Sequence, residues 1–276
     1  MRRQIVCIAG PTASGKSSRA VEEALARNGE VISVDSRQVY RGLDIGTEKI
    51  PREEMRGVPH HLIDIRDPAE SYSAGDFVTD ATRLIGDITA RGKLPILVGG
   101  THFYFDALLS GLPTGVDANP TLREELETLS SVRLFARIRE QDPRRAAELD
   151  PQNRRRLIRA LEIIEARGEV PARPQAAPAY KVEWIVIDPP REKLRANIDA
   201  RLTSALERGL VDEVRRVRDA VGDARLNELG LEYRIVGEFL RNERAEESLL
   251  PTLLASVSQY ARRQKAWLRK LGHRTS

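Results

Sequence analysis

The sequence predicts an α/β fold, with a parallel sheet core flanked by helices and a mainly helical insertion. Two observations predict the core: short apolar runs typical of buried strands recur towards both ends of the 276-residue chain, and helical segments separate them. A third observation predicts the insertion, because such runs are absent between residues 116 and 179. We therefore expect a core domain of residues 1–115 and 181–276, and an insertion domain of residues 116–180.

The composition is that of an ordinary globular chain, with 41% hydrophobic and 31% charged residues. No apolar run approaches the roughly 20 residues that a membrane span needs, so we expect a cytoplasmic protein with no membrane partner. The single cysteine, Cys7, excludes an intrachain disulfide and a Cys-rich zinc site, and favours an inert core thiol. The net charge is only +4, but the pI is about 9.3 and arginine dominates, which leaves a polyanionic partner open.

The first strand is predicted at Ile5 to Ala9, and the pattern G-x-x-x-x-G-K-S follows it. Its residues are Gly10, Pro11, Thr12, Ala13, Ser14, Gly15, Lys16 and Ser17. A helix is predicted from Ser18 to Arg27. Between a strand and a helix this pattern is typical of a phosphate-binding P-loop, in which backbone N–H groups turn inward, Lys16 adds a charge and Ser17 can bind Mg²⁺. A glycine-rich turn without a ligand is the weaker alternative, and the loop alone does not identify the phosphate compound.

The second strand, Glu30 to Asp35, ends in an acid. Ligands of open α/β sheets gather beyond the carboxyl ends of the strands, so Asp35 should face the same crevice as the P-loop. Three roles remain open for Asp35: an acid that organises a metal, a general base, and a helix cap without chemistry.

Residues 41–72 are rich in loop-forming residues. The pair His60-His61 lies here, but a shared metal is disfavoured because adjacent side chains of a strand point apart and no acid or cysteine stands at ligand spacing. Ser73 then opens a helix with Asp76 at the capping-box position. The apolar face of this helix is predicted to consist of Phe77, Ala81, Leu84, Ile85 and Ile88.

The next buried strand begins at Leu94 and ends in Gly99, Gly100 and Thr101. Paired glycines suggest close approach of a ligand or of another backbone, and Thr101 would point into the crevice. A tight turn without a role is the alternative. A helix is predicted from His102 to Ser110.

Helices are predicted in the insertion at Pro120 to Leu129, around Phe135 to Leu149, and from Gln152 to Arg167. In the last of these helices, arginines are concentrated in the first half, beside an apolar stripe. A solvated face and contact with a phosphate backbone are equally good interpretations of these charges. Residues 169–179 are predicted to form a linker.

Strand character returns at Val182 to Ile187, followed by a helix with leucine or isoleucine at four-residue spacing. Arg201 lies one step off that stripe, where it could reach the crevice or remain on the surface. A last helix is predicted from about Glu247 to Arg269. Its basic residues alternate with Tyr260 and Trp267, a pattern suited to nucleic acid.

Several separated motifs resemble one family, the tRNA dimethylallyltransferases, also called tRNA isopentenyltransferases. They cover nearly the whole chain and lie at residues 10–17, 33–40, 44–47, 59–64, 72–77, 98–101, 156–162 and 262–269. The resemblance implies a P-loop NTPase-like core that transfers a dimethylallyl group from dimethylallyl diphosphate to the exocyclic amine of the adenine 3′ of the tRNA anticodon. It further implies Mg²⁺ as the cofactor and the tRNA anticodon stem-loop as the partner, gripped by the insertion and the C-terminal segment. We expect a monomer.

The resemblance also carries roles to individual residues. It implies catalytic roles for Asp35, the general base, and for Thr12 and Arg201. It implies diphosphate binding by residues 10–17 with Arg201, and Mg²⁺ binding by Ser17. Its tRNA-contact positions correspond to Asp35, Ser36, Arg37, Gln38, Thr101, Arg123, Arg155, Arg156, Leu157, Ile158, Arg159, Leu229, Gly230, Leu231, Glu232, Tyr233 and Arg234. The chain departs from the family in a shorter insertion and in Asn197, where arginine is commoner.

Three rival functions remain. One is an adenylate isopentenyltransferase that acts on free nucleotide, which the basic insertion and basic C-terminus disfavour. Another is a P-loop kinase of a small metabolite with Asp35 as base, but no arginine-rich lid motif is evident. The third is a nucleic-acid-binding NTPase, although the usual later strand, Ile96 to Val98, ends in Gly99 and Gly100 rather than in an acid.

Overall fold

The computed structural model describes residues 2–112, 116, 119–171 and 179–275, with side chains to Leu271. Residues 1–109 and 178–276 form one compact unit and residues 110–177 another. In chain order the elements are β1 Arg3–Ala9, α1 Lys16–Arg27, β2 Gly29–Ser33, β3 His60–His61, α2 Ala74–Ala90, β4 Leu94–Gly99, α3 His102–Ser110, α4 Pro120–Glu127, α5 Ser131–Gln141, α6 Pro143–Glu148, α7 Arg154–Arg167, β5 Tyr180–Val186, α8 Arg191–Glu207, α9 Leu210–Leu226, α10 Leu231–Leu240 and α11 Leu249–Thr275.

The larger unit is built on a five-stranded sheet in the order β3-β2-β4-β1-β5, and every neighbouring pair is parallel. The predicted parallel sheet flanked by helices is therefore confirmed. Because all carboxyl ends lie on one edge, the segments that follow the strands meet there. These segments are the P-loop after β1, Asp35 after β2, Gly100 after β4 and Asp188 after β5.

The core of this unit follows from local sequence signals. Residues Ile5 to Ala9 of β1 are fully buried, and burial raises the pKa of the Cys7 thiol, as expected of an inert core residue. Helix α2 begins with the predicted capping box, in which the Ser73 hydroxyl accepts from the Asp76 amide and the Asp76 carboxylate accepts from the Ser73 amide. The five buried side chains of α2 are those that its periodicity predicts.

Close approach of another backbone, one of the two reasons considered above, explains Gly99 at the end of β4, whereas Gly100 is approached by a side chain. A Cβ at Gly99 would lie 2.0 Å from the Val34 carbonyl oxygen, and one at Gly100 would lie 2.5 Å from Nε2 of Gln264. Neither position accommodates a larger residue without movement of its neighbours.

Two helices of the larger unit, α9 and α10, were not predicted. Helix α9 buries a carboxylate, Glu213, among Leu210, Val214 and Val217, and it contains Gly222 with a non-helical φ of 75°. Both features weaken a periodicity signal. Among the described residues, none of the helices combines the length and the hydrophobicity needed to cross a bilayer.

The smaller unit contains α4 to α7 around a core that includes Leu126, Leu134 and Leu161. The predicted helical segment 135–149 is in fact two helices, because Pro143 begins α6 and Asp142 caps it by accepting from the Arg145 amide at 2.9 Å. Residues 172–178 of the predicted linker lie outside the described residues.

Candidate active site at the carboxyl edge of the sheet

The P-loop connects β1 to α1 and presents unpaired hydrogen-bond donors. Gly15, at φ 82°, is the N-cap of α1, and no side chain caps the first turn, so its amides are available to an anion. The Ser14 hydroxyl is buried without a hydrogen-bond partner among the described residues. A Cβ at Gly10 would lie 2.6 Å from that hydroxyl oxygen and 2.8 Å from the Ile187 carbonyl oxygen. The loop is therefore a tight cradle that suits phosphate oxygens.

Lys16 supplies a buried positive charge beside this cradle. Its ammonium group donates to the Pro11 carbonyl at 3.1 Å. Burial lowers the pKa of Lys16 to about 8, while the Asp35 carboxylate acts in the opposite direction and Arg201 lowers the pKa further. An anion in the cradle would stabilise the protonated form, so ligand binding and protonation of Lys16 are coupled.

Arg201 of α8 is one-tenth exposed and lies against the P-loop, which is one of the two positions that the sequence left open. Nη1 donates to the Thr12 hydroxyl at 2.5 Å, and Nη2 donates to the Gly46 carbonyl at 3.2 Å and to the Glu232 carboxylate at 2.8 Å. Nε lies 3.3 Å from the Glu48 carboxylate but makes no hydrogen bond to any residue that the structure describes. These contacts hold the guanidinium group in one orientation beside the loop.

Asn197, one turn before Arg201 on α8, also contacts the P-loop. Its side-chain amide donates to the Ala13 carbonyl at 3.0 Å. Helix α8 thus supports the loop from two positions, and the residue that departs from the family pattern still reaches it.

Asp35 follows β2 and organises the loop after it. Its Oδ1 accepts from the amides of Arg37, at 2.8 Å, and Gln38, at 3.2 Å, while the Ser36 amide donates to the Thr101 hydroxyl at 3.1 Å. No helix follows Asp35 in the described part of the chain, so the expected helix cap is wrong, and its carboxylate closes a turn instead. Because both bonds end on Oδ1, this turn and chemistry at Oδ2 are compatible.

Gln264 of α11 belongs to this edge of the sheet, and sequence reasoning missed it apart from its place in the motif at 262–269. It is buried, its Oε1 accepts from the Thr12 amide at 2.9 Å, and its Nε2 donates to the Gly100 carbonyl at 2.9 Å. Nearby, Trp267 stacks on His102 with ring centroids 4.3 Å apart. Helix α11 thereby joins the loop after β1 to the loop after β4.

The residues predicted to contact tRNA differ in exposure. At the α9–α10 turn, Leu229 and Tyr233 are buried and Arg234 is exposed. In the smaller unit Leu157 and Ile158 belong to the core, whereas Arg155 and Arg156 are exposed.

Arg123 and Arg159 both pair with the buried Glu162 of the smaller unit, at 2.9 and 3.3 Å. The larger unit brings together Asp35, Thr101, Thr12, Arg201 and Glu232, while the arginines from 123 to 159 belong to the smaller unit.

The donors near the P-loop fit a magnesium ion that takes most of its ligands from a bound diphosphate and water. Ser17, at the start of α1, offers a partly buried hydroxyl. The described residues contain no group of three or more His, Cys, Asp or Glu side chains that would form a cage of protein ligands. Mg²⁺ commonly binds in this way, through few protein oxygens and several phosphate oxygens.

Comparison with known proteins yields consistent matches over the chain. The profile of the IPP transferase family matches residues 38–271. The tRNA dimethylallyltransferase of Thermomicrobium roseum is 42% identical, with 98% of this chain and 84% of that protein covered. The full-length tRNA isopentenylpyrophosphate transferase of Bacillus halodurans superimposes with a TM-score of 0.73 at 40% identity, covering 97% of this chain and 87% of that one. A eukaryotic dimethylallyltransferase acting on tRNA gives a TM-score of 0.84 at 30% identity, over 96% and 70% of the two chains.

Proposed function

The chain belongs to the IPP transferase family, and from this premise we propose that it transfers a dimethylallyl group from dimethylallyl diphosphate to the exocyclic amine of the adenine 3′ of the tRNA anticodon, with release of diphosphate. The observation that carries the proposal is the meeting of Lys16, Arg201 and the uncapped P-loop amides at one edge of the sheet, with Asp35 after β2 at the same edge. This arrangement offers positive charge for a leaving diphosphate and a carboxylate for a nucleophile.

The P-loop side of the site would stabilise the leaving group. As the allylic C–O bond breaks, negative charge grows on the diphosphate oxygens. Lys16, the Arg201 guanidinium, the Ser14 hydroxyl and the first amides of α1 are positioned to receive it. Preorganised donors of this kind commonly contribute about 3–4 kcal/mol each to barrier lowering. Mg²⁺ held at Ser17 would supply further positive charge to the diphosphate.

Asp35 would act on the acceptor. The adenine amine is a poor nucleophile because its lone pair is delocalised into the ring, so a base that accepts its proton as the C–N bond forms contributes roughly 10²–10⁴-fold. Oδ1 of Asp35 is held by the amides of Arg37 and Gln38, which orients the carboxylate. We propose that the adenine is flipped out of its stack into a channel lined by Thr101 and the loop after Asp35.

The anticodon stem-loop would be held by the residues on the family's tRNA-contact positions. In the insertion domain of residues 116–180, Arg155 and Arg156 are the exposed members of that set and suit phosphate contact. The buried members, Leu157 and Ile158, support the helix that carries these arginines.

The experiment that tests the proposal is incubation of the protein with tRNA and dimethylallyl diphosphate, followed by nucleoside analysis of the digested tRNA. We expect isopentenyladenosine in the digest. A protein that prenylates AMP, ADP or ATP but not tRNA would instead be a nucleotide transferase. If ATP raises the thermal unfolding temperature and dimethylallyl diphosphate does not, a kinase is the better interpretation.

A further inference from the structure

Glu213 of α9 is a buried carboxylate that holds a loop segment next to Arg201. It is 2% exposed. Its Oε2 accepts from the amides of Asp44, at 2.9 Å, and Ile45, at 2.8 Å. Its Oε1 accepts from the amide of Gly46, at 3.0 Å, and from the Tyr233 hydroxyl, at 2.6 Å. These four hydrogen bonds offset the cost of burying the group, and the three from backbone amides fix the conformation of residues 44–46.

The segment has little freedom to move away from this position. A Cβ on Gly46 would lie 2.8 Å from the ring and hydroxyl atoms of Tyr233, so the backbone packs directly on that ring. The Thr47 hydroxyl also donates to the Leu43 carbonyl and closes the turn. Glu213 and Tyr233 therefore set where the Gly46 carbonyl points.

The Gly46 carbonyl accepts from Nη2 of Arg201 at 3.2 Å, and Nη1 of the same guanidinium group donates to the Thr12 hydroxyl in the P-loop. A continuous chain of contacts therefore runs from Glu213 through the segment 44–46 and Arg201 to the diphosphate cradle. We propose that Glu213 is a positioning residue, which orients the Arg201 guanidinium group toward the diphosphate. This inference rests on the proposed function only in assigning a diphosphate to the cradle.

The test is a double-mutant cycle on dimethylallyl diphosphate affinity, measured by calorimetry without tRNA for wild type, Glu213→Gln, Arg201→Ala and the double variant. Glutamine has nearly the same shape as glutamate, but its amide nitrogen cannot accept hydrogen bonds from the backbone. The backbone of residues 44–46 should therefore change its orientation. We expect Glu213→Gln to weaken binding about 10-fold or more in the wild-type background, as for a lost hydrogen bond to a charged group. In the Arg201→Ala background, Glu213→Gln should change the affinity less than about 2-fold, because Glu213 acts on the diphosphate through Arg201.

Glu30→Gln is the matched control. Glu30 is also buried and also charged, accepting from His61 and Arg91 at 2.7 Å each, but it lies at the amino end of β2, away from the P-loop. Glu30→Gln should lower the unfolding temperature, but it should leave the affinity for dimethylallyl diphosphate unchanged in both the wild-type and the Arg201→Ala protein.

Equal weakening by Glu213→Gln in both backgrounds would overturn the proposal, as would a lowered unfolding temperature with normal affinity. If Glu213→Gln does not fold, Gly46→Ala displaces the same segment and should show the same dependence on Arg201. Because affinity is measured rather than turnover, the cycle is informative even for a protein that yields no isopentenyladenosine. A wild type that binds no dimethylallyl diphosphate overturns both proposals.

Discussion

Affinity for the diphosphate donor should fall as the pH rises through about 8, because Lys16 loses its proton in the free protein. Burial lowers the pKa of Lys16 to about 8, against the smaller effect of Asp35. A bound diphosphate restores the protonated form, since its negative charge raises that pKa. Binding above pH 8 must therefore take up a proton, and the dissociation constant must rise with pH.

The size of the effect follows from that pKa. At pH 7 about nine-tenths of the free protein carries a charged Lys16, and at pH 9 about one-tenth does, so the dissociation constant should rise about tenfold between these values. His102 and Tyr260 do not titrate in this window. Burial lowers the pKa of His102 to about 4, and burial together with Asp35 raises the pKa of Tyr260 to about 12.

The assay is calorimetric titration of dimethylallyl diphosphate at pH 7, 8 and 9, in two buffers that differ in ionisation enthalpy, so that proton uptake is measured directly. Lys16→Arg is the control, because a guanidinium group stays charged throughout. Ionisation of the ligand affects both proteins equally, and the difference between them reports Lys16. An affinity that does not change with pH in the wild type, or an equal change in Lys16→Arg, would refute the reasoning.

Three further predictions concern catalysis, tRNA affinity and stability. Asp35→Asn should keep the loop, since Asn retains an oxygen that can close the turn, and should lower turnover by roughly 10²–10⁴-fold in single-turnover kinetics with unchanged tRNA affinity. Replacing Arg155 and Arg156 with alanine should weaken tRNA binding and reduce the slope of log affinity against log salt by about 1.5, in filter binding over a salt series. Gly99→Ala should lower the free energy of unfolding by at least about 1–3 kcal/mol in urea titrations, because its Cβ would lie 2.0 Å from the Val34 oxygen.

Each of these predictions has an outcome that contradicts it. Near-normal turnover of Asp35→Asn would remove the carboxylate from proton transfer. An unchanged salt slope would place Arg155 and Arg156 outside the tRNA interface. For stability, the control is Gly86→Ala within α2, where the nearest atom to a new Cβ is 3.6 Å away. That variant should be neutral or more stable, and equal losses in both would show that the contact at Val34 is not the cause.

The parts of the fold and site that the sequence predicted depend on short-range patterns. The strand, loop and helix around the P-loop, and the capping box at Ser73, are each encoded within a few consecutive residues. Glu213 and Gln264 could not be predicted in this way. Glu213 bonds to amides up to 169 positions away, and Gln264 accepts from an amide 252 positions away, so their roles exist only once distant segments have packed. Helix α9 was missed for a related reason, because a buried charge interrupts its apolar face.

The contact between Gln264 and the P-loop has a consequence for the order in which the site is made. The amide of Thr12 finds its partner only after another 252 residues have been translated. Until α11 docks, the loops after β1 and β4 lack the side chain that joins them. The nascent sheet can therefore form before its ligand edge is complete, and the contact that joins the two loops arrives only with α11.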